Sequence, residues 1–502
     1  MNLENAYMGR ILVVDLNEGT CEEEELTEEI VNEHIGGAAI NLALYRQHVD
    51  RDPIIFGTGL LTGTFTPSSC AGVMSGKSPV TGRVCHVPLS WQTAVELKYS
   101  GYDFVLVLGE SEKPVRLWLH DELAELADAE EVWGQDVWQT TDKLRYEHGD
   151  DYVQLIGIGP AGEKGCRMAQ ISEGPWGSRD VFGMGLALGA RKLKAIAMRG
   201  LGSLEVADGF FDECLEVQRE LRKGAIFEKQ GLVALLEALG LDAADLEPMN
   251  QKVHRHSAAF NCAYAANTYL MIDEPPSLLK ESKKNEPGLL LTDPAGVISL
   301  LFLKEGLPVV LREINRLGLD PVACGALLKK EEVTGADEAV KRVKALAGEA
   351  VDLEGAGVEN VYGIAPWPLS EALEARLIQA VSVFSHAVPL GPLGGGWADV
   401  SVGKDPVERA QWWLDRMAVS SILGICPIAA LLSPEFTLEK MAELGATAVG
   451  WAGLTEEALL NQARKLVAET HALGEAVGTV PSSWASADLD GALEKLRQGW
   501  EG

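Results

Sequence analysis

Three glycine-bearing segments in the first two hundred residues carry residue types that suit an anionic ligand. They are Lys77–Gly82, Gly159–Glu163 and Gly185–Ala195, and a glycine-rich stretch, Gly57–Ser69, precedes the first. Glycine lets backbone amides approach a ligand closely, and a neighbouring lysine supplies a fixed positive charge. Glycine clusters also mark plain turns between strands. Composition alone therefore leaves both interpretations of these segments open.

The order and spacing of the three segments resemble the aldehyde ferredoxin oxidoreductase family, the tungsten-pterin enzymes of anaerobes. Members of that family hold two pterins around one metal, beside a four-iron cubane. The resemblance is specific over residues 8–200 and looser over residues 290–330 and 413–475. It implies a tungsten or molybdenum bis-pterin, with contacts from Lys77, Ser78, Gly183, Gly185, Asn315, Gly318, Leu319, Asp320 and Gly424.

Two of these segments also have a purely structural interpretation. Gly185–Ala195 fits an ordinary glycine-containing helix that packs on a sheet. Asn315–Asp320 resembles a pterin loop of the family, whose carboxylates would accept hydrogen bonds from pterin N–H groups. It fits a helix end equally well, because Gly318 suits the position after the last helical residue and Asp320-Pro321 suits a helix boundary. Both interpretations stay open.

Two further motifs of the family are altered in this chain. Where the family has an Asn-x-Gly-Gly stretch that clamps the pterin phosphates, the chain has Pro88, Ser90 and Trp91. Where the family has Gly-Arg-Gly-Gly, the chain reads Asp180–Gly183, with Val181 in the place of the arginine. Valine cannot pair with an anion as a guanidinium does. Either the phosphate end is bound differently, or an indole fills its pocket.

The cysteines match the family's cluster site only in part. The resemblance implies Cys262 as the middle ligand of a Cys-x-x-Cys-x-x-x-Cys pattern and Cys426 as the fourth ligand, while Ala259 and Ala266 stand in the other two places. A cubane needs four thiolates, so we do not expect a standard four-iron cluster. The alternatives are buried inert thiols, a smaller metal site or a cysteine pair.

A proton-handling group is difficult to find in the second half of the chain. His386 is the only histidine between Ser257 and Glu469, which makes it the one weak catalytic candidate. A lone histidine is more often a core or surface residue than a catalytic group. The nearby glycine cluster Gly391–Trp397 suits a lid or a plain loop.

Composition excludes several classes of function. The chain has 502 residues and a net charge of −31, and its pI is about 4.7, so nucleic-acid binding is not expected. The acidic runs suit a solvated surface or, alternatively, a docking surface for a basic redox partner. No apolar run reaches the length of a membrane span, and the N-terminus lacks a signal-peptide pattern, so we expect a cytoplasmic protein. The eight cysteines contain no Cys-x-x-Cys pair and predict no disulfide framework.

Hydrophobic patterning predicts an α+β protein. Short apolar runs separated by turns predict strands over residues 11–16, 53–56, 104–108, 115–119, 152–158 and 195–198. Helical periodicity follows after residue 205, including 406–423 and a helix capped by Thr455. We predict an N-terminal strand-rich domain of pterin-binding type over residues 1–204, and mostly helical domains over 205–330 and 331–502.

Three hypotheses for function follow. The nominal one is a tungsten- or molybdenum-pterin oxidoreductase acting on an aldehyde or a related carbonyl. The second is a non-catalytic paralogous subunit or scaffold of a redox complex that has lost the cluster and the pterin. The third is a binding protein for an anionic small molecule. A homo-oligomer or a partner redox subunit is the expected assembly, and the resemblance alone does not fix the activity.

Overall fold

The computed structural model describes residues 3, 5–224, 230–272, 288–368, 372–381, 383–385, 405–474, 480–484 and 486–500. Strands dominate up to residue 200 and helices dominate after it, which confirms the predicted α+β fold. Buried apolar side chains from both parts join one contiguous core. The predicted division at residues 204 and 330 stays a prediction.

The first sheet has six strands in the order β2-β1-β6-β3-β4-β5. β1 and β6 run parallel, and the other neighbours run antiparallel. Every residue of β3, β5 and β6 is buried, so these strands are near-continuous apolar runs rather than alternating ones. The strands are β1 (Arg10–Asp15), β2 (Thr20–Glu25), β3 (Ile54–Thr58), β4 (Gly72–Lys77), β5 (Val84–Leu89) and β6 (Phe104–Leu108).

A second, five-stranded sheet has the order β10-β9-β11-β7-β8. β11 runs parallel to β7 and antiparallel to β9. The segment between β9 and β11 carries most of the altered family motif, so this sheet positions one side of the candidate site. The strands are β7 (Val115–His120), β8 (Leu123–Asp128), β9 (Gln154–Ile158), β10 (Ile171–Glu173) and β11 (Leu193–Arg199).

Six helices accompany the sheets in the described part of the first two hundred residues: α1 (Glu28–His34), α2 (Gly37–Gln47), α3 (Thr93–Tyr99), α4 (Val137–His148), α5 (Pro160–Glu163) and α6 (Met184–Ala190). Thr27 caps α1 by accepting a hydrogen bond from the Ile30 N–H. Gly37 opens α2 at φ +49, where an added Cβ would lie 1.7 Å from the Ser421 carbonyl oxygen. This contact joins the N-terminal part to the C-terminal helices.

The remainder of the chain is mostly helical. The described helices are α7 (Phe210–Leu221), α8 (Leu232–Ala238), α9 (Ala243–Asn250), α10 (Pro294–Leu300), α11 (Leu307–Leu317), α12 (Pro321–Lys330), α13 (Ala336–Leu346), α14 (Leu373–Val381), α15 (Pro406–Leu423), α16 (Pro427–Leu432), α17 (Leu438–Val449), α18 (Glu456–His471) and α19 (Ala487–Gln498). The predicted bounds of α15 are confirmed, and so is Thr455 as the cap of α18.

A small antiparallel sheet among these helices was not predicted. It consists of β12 (Val253–Ser257), β13 (Asn267–Met271) and β14 (Gly288–Leu291), in that order. β12 reads Val-His-Arg-His-Ser and is largely exposed, so it has none of the apolar alternation that marks a strand. Pairing with the buried β13 supplies its structure instead.

One stretch of the described chain, Pro294–Leu317, is long and apolar enough to cross a membrane, with a mean hydropathy of 1.6 over its most apolar window. The core helix of a soluble protein meets the same criterion, and 61% of this window is buried inside the protein. The stretch is two helices, α10 and α11, separated by a 3-10 turn with a break at Lys304. It is weak support for a membrane span, and the expectation of none stays a prediction.

Candidate cofactor site

Three loops meet where the family resemblance predicts the cluster. The Leu60 N–H donates to the Ile422 carbonyl at 3.1 Å, and the Cys426 N–H donates to the Ser68 carbonyl at 2.8 Å. The Ser68 N–H in turn donates to the Asn261 carbonyl at 2.8 Å. These bonds tie the glycine-rich stretch after β3 to the turn before β13 and to the loop between α15 and α16.

Two glycines and a buried lysine make this close approach possible. An added Cβ at Gly59 would lie 2.0 Å from the Gly424 nitrogen, and one at Gly424 would lie 2.0 Å from Thr62 Oγ1. Lys98 is fully buried, donates to the Gly59 and Leu60 carbonyls, and lies 3.8 Å from the buried Asp103 carboxylate. Gly424 therefore serves in this structure as a tight packing position at the end of α15.

The three loops bring three thiols together: Cys70, Cys262 and Cys426. Hydrogen bonds from the Cys262 and Cys70 thiols lower the pKa of Cys426 well below its ordinary value. The same contacts with Cys426 raise the pKa of Cys70 and of Cys262. Ser68 Oγ lies 3.2 Å from Cys262 Sγ, as a fourth polar group in the cluster.

Sequence reasoning paired Cys262 with Cys426 but missed Cys70. The one feature of the sequence that could have indicated Cys70 is its position directly after Ser69, at the end of the glycine-rich stretch. A cubane needs four thiolates, and the described part of the chain brings three cysteines here. Among those same residues, no set of three or more His, Cys, Asp or Glu side chains has the convergence that holds a metal ion. The described donors therefore do not fit a standard four-iron cluster.

Asp180 occupies the start of the altered Gly-Arg-Gly-Gly motif, and its carboxylate is enclosed by backbone amides. It accepts from the N–H groups of Ile171 at 3.1 Å, Phe182 at 2.9 Å and Gly185 at 3.1 Å. Asp180 is 1% exposed, and burial raises the pKa of its carboxyl to about 6 against the opposing effect of these amides. Amides that an anionic ligand could have used are thus bonded to a carboxylate of the chain.

The predicted contact residues around this motif have structural partners. Ser78 is buried, and its hydroxyl donates to the Phe182 carbonyl at 2.7 Å, whereas Lys77 is exposed at the end of β4. Gly183 has φ +72 and precedes α6, and a Cβ there would lie 2.6 Å from Val80 Cγ2. A Cβ at Gly185 would lie 2.3 Å from the Gln170 carbonyl oxygen.

The Asn315–Asp320 segment packs against the loop that leads into β10. Asn315 Nδ2 donates to the Trp176 carbonyl at 2.9 Å, and Gly318 accepts from the Gln170 N–H at 2.9 Å. Leu319 is fully buried and forms an isolated bridge with Ala169. The segment ends α11 at Gly318, which has φ +69, and so has the geometry of the helix-end interpretation.

Asp320 lies between α11 and α12 and caps the N-terminus of α12. Its carboxylate accepts from the Val322 N–H at 2.8 Å, and its own N–H donates to the Met168 carbonyl at 2.8 Å. Burial, together with the nearby Asp293 and Asp180, raises the pKa of Asp320 to about 8. A carboxyl with this pKa is largely protonated at neutral pH.

A water-sized cavity of about 10 Å³ lies beside Trp91, the residue in the family's glycine position. Glu173, Trp176, Arg179 and Thr292 also line it. Glu173 accepts from the Ser90 N–H at 2.7 Å, from the Ser90 hydroxyl at 3.1 Å and from the Thr93 hydroxyl. Burial raises the pKa of the Glu173 carboxyl to about 7.

These features do not fit a bis-pterin. A pocket for a single drug-sized molecule measures about 300–1,000 Å³, and two pterins with their metal contain more atoms than such a molecule. Val181 and Phe182 are buried where the family motif has an arginine and a glycine, and the Asp180 carboxylate holds the adjacent amides. The remaining catalytic candidate, His386, and the loop Gly391–Trp397 lie outside the described residues.

The strand-rich first part and the converging loops define an α+β fold with a buried thiol cluster and a carboxylate-filled loop. Residues 11–200 match the family described as "Aldehyde ferredoxin oxidoreductase, N-terminal domain". The first two hundred residues are therefore similar to the N-terminal domain of the aldehyde ferredoxin oxidoreductase family, as the sequence resemblance predicted.

Curated relatives show the same similarity over part of the chain. A tungsten-containing aldehyde ferredoxin oxidoreductase of Pyrococcus abyssi is 36% identical over 226 residues, which is 43% of this chain and 37% of the relative. An aliphatic sulfonate oxidoreductase, WOR-like subunit, of Pyrococcus furiosus is 30% identical over 227 residues, which is 40% of this chain and 36% of the relative. The matched regions thus span less than two fifths of these relatives.

A solved structure shows the fold over the whole length. The active site complex BamBC of benzoyl coenzyme A reductase, in complex with 1,5-dienoyl-CoA, has a chain that superposes with a TM-score of 0.74. The match covers 100% of this chain and 95% of that chain at 18% identity. At this identity the likeness establishes the fold alone.

Proposed function

We propose that the chain is a non-catalytic subunit with the aldehyde ferredoxin oxidoreductase fold, which works without the bis-pterin and without the cubane. The observation that carries this proposal is the bonding of the Asp180 carboxylate to three backbone amides in the altered motif. A loop whose amides are satisfied by its own side chain no longer needs an anionic cofactor to be stable.

The thiol cluster supports the same proposal. Cys70, Cys262 and Cys426 are free thiols in contact. The two other positions where the family has cluster ligands are occupied by Ala259 and Ala266, whose side chains cannot ligate iron. Without a cubane beside the metal, electrons would have no nearby relay to a ferredoxin. The nominal reaction, oxidation of an aldehyde or related carbonyl, requires both groups and is the competing proposal.

A subunit of this kind acts through a partner. The net charge of −31 offers long-range attraction to a basic redox protein. The sulfonate oxidoreductase relative is named as a subunit, and the benzoyl coenzyme A reductase match is named as a complex, so multi-chain assembly has precedent among similar proteins. A partner redox subunit or a second copy of the chain is therefore proposed, in the cytoplasm.

Elemental analysis of anaerobically purified protein tests the proposal. We expect tungsten, molybdenum and iron far below one atom per chain, no extractable pterin, and co-purification with another redox protein. The Pyrococcus abyssi relative, prepared in the same way, is the positive control for metal and pterin recovery. A metal and two pterins per chain would refute the proposal and favour the nominal oxidoreductase. Absence of both, with the chain eluting as a monomer alone, would refute the subunit role.

A further inference from the structure

The three thiols of the candidate cofactor site form a group that the proposed subunit role does not use. Cys70 and Cys426 are buried, and Cys262 is half-buried. Cys70 and Cys262 each form a hydrogen bond with Cys426, so the Cys426 sulfur contacts both of the others. Sulfurs in contact need only a small further approach, to about 2.0 Å, to become a disulfide. The group therefore has the arrangement of a dithiol that can be oxidised.

Cys262 is the member of this group that solvent can reach. It lies in the turn before β13, outside any helix or strand, whereas Cys70 is fully buried two residues before β4. A turn adjusts its backbone more easily than the buried entry to a central strand does. Cys262 and Cys426 are therefore the pair that an oxidant from solvent would join.

The backbone holds these two cysteines side by side through Ser68. The Ser68 N–H donates to the carbonyl of Asn261, the residue before Cys262, and the Ser68 carbonyl accepts from the Cys426 N–H, both at 2.8 Å. The Ser68 hydroxyl also donates to Cys262 Sγ at 3.2 Å. One residue thus fixes both sides of the pair, and the fold positions the two sulfurs before oxidation begins.

A buried guanidinium favours the ionised form of Cys426. Arg179 is 6% exposed, and its Nη2 donates to the Thr292 carbonyl at 2.9 Å, while its Nε and Nη1 have no hydrogen-bond partner among the described residues. Hydrogen bonds from Cys262 and Cys70, together with the positive charge of Arg179, lower the pKa of the Cys426 thiol well below its ordinary value. The thiolate is the form of cysteine that attacks another sulfur, so Cys426 is suited to close a disulfide.

We propose that Cys262 and Cys426 form a reversible dithiol–disulfide site that hydrogen peroxide oxidises. The Cys262 sulfur attacks one peroxide oxygen, the O–O bond breaks, one water leaves, and Cys262 becomes a sulfenic acid. The Cys426 sulfur then attacks the Cys262 sulfur, so that the S–S bond forms, the S–O bond breaks and a second water leaves. The two thiols lose two electrons and two protons in total, and the peroxide gains them.

This inference rests on the proposed function, because an iron cluster on these thiols would leave neither of them free to react. In the reduced protein, the turn before β13 and the loop between α15 and α16 are joined through the hydrogen bonds of Ser68. Oxidation would add a covalent link between the same two segments. The site would thus report the presence of peroxide as a change in how firmly these segments are held together.

Mass spectrometry of the full chain, purified anaerobically and then exposed to hydrogen peroxide, tests this site. We expect the chain to lose two hydrogen atoms and to yield a linked peptide pair that contains Cys262 and Cys426, both reversed by dithiothreitol. Cys21, the other half-buried cysteine, lies on the edge strand β2 and should stay unlinked. A link between Cys70 and Cys426, or a sulfinic acid at Cys262 without any link, would overturn the proposal. This measurement uses the unmodified protein and does not depend on any variant folding.

Variants then assign the two roles. Cys426→Ser should abolish the link and leave a sulfenic acid at Cys262 that dimedone labels, because no thiol remains at position 426 to resolve it. Cys70→Ala should retain the link. Cys324→Ala, which removes a fully buried cysteine of α12, is the matched control and should also retain it. Loss of the link in Cys70→Ala, or no dimedone label on Cys262 in Cys426→Ser, would refute the assignment.

Iron analysis of the same sample separates this inference from the proposed function. Iron bound to these thiols would overturn both, because coordinated thiolates are not free to pair. A sample without iron that forms no disulfide would overturn the dithiol site alone and leave the subunit role standing.

Discussion

Replacing Asp180 by alanine tests the idea that a carboxylate of the chain has taken the place of a ligand. The replacement removes the acceptor of three buried N–H groups, from Ile171, Phe182 and Gly185. Each buried donor left without a partner costs about 1–3 kcal/mol. The total loss in the free energy of unfolding is about 6 kcal/mol if all three N–H groups stay buried and make no hydrogen bond to water.

The burial of the carboxylate opposes part of that cost. The pKa of Asp180 rises from 3.8 to about 6, a shift of roughly two pH units, so the ionised form in the folded protein is disfavoured by about 3 kcal/mol. Alanine relieves this penalty above pH 6. The difference leaves an expected destabilisation of about 3 kcal/mol at pH 8, measured by urea denaturation. Asp180→Asn, which keeps one acceptor oxygen, should lose less.

Added sulfate distinguishes a vacated anion site from a merely damaged loop. Sulfate should stabilise the Asp180→Ala variant more than the wild type, because only the variant has free amides for it. Sulfate stabilises proteins generally, so the difference between the two proteins is the quantity of interest. A loss below about 1 kcal/mol, or equal stabilisation of both proteins by sulfate, would refute the reasoning.

Two other predictions use the same unfolding assay. Asp320 has its pKa raised by burial to about 8, so the folded protein keeps a proton that the unfolded chain releases, and stability falls as pH rises. The wild type should therefore lose about 1.4 kcal/mol per pH unit relative to Asp320→Asn between about pH 5 and 7, and parallel profiles would contradict this. Gly59→Ala should cost about 3 kcal/mol or more, since its Cβ would lie 2.0 Å from the Gly424 nitrogen. Gly491→Ala, in open space on α19, should gain about 0.5–1 kcal/mol, and similar effects of the two changes would show that the close approach is absent.

The fold was predictable where local sequence and tertiary structure agree. Phe104–Leu108 is an unbroken apolar run, and it forms β6 with the predicted bounds. Pro406–Leu423 combines a proline start with helical periodicity and forms α15. β2, which reads Thr-Cys-Glu-Glu-Glu-Glu, was missed because an exposed edge strand needs no apolar face. Its structure comes from pairing with β1, which a local pattern does not contain.

The candidate site was less predictable, because its partners are distant in sequence. The resemblance paired Cys262 with Cys426, but Cys70 joins them only through the folding of the loop after β3. The resemblance predicts a loss of glycines and of an arginine at residues 180–183. The Asp180 carboxylate accepts hydrogen bonds at the backbone amides where an anionic ligand could bind. This arrangement depends on the positions of Ile171 and Gly185, which the local sequence does not reveal.

Three buried acids share one physical logic in this structure. Asp180, Asp320 and Glu173 each accept hydrogen bonds from backbone N–H or hydroxyl donors around the altered site. Burial raises the pKa of all three, so the donors only partly offset the loss of hydration. Buried N–H and hydroxyl donors need a hydrogen-bond acceptor, and the phosphates of a cofactor could supply one. Carboxylates that belong to the chain satisfy these donors permanently, so the same loops can fold without a ligand.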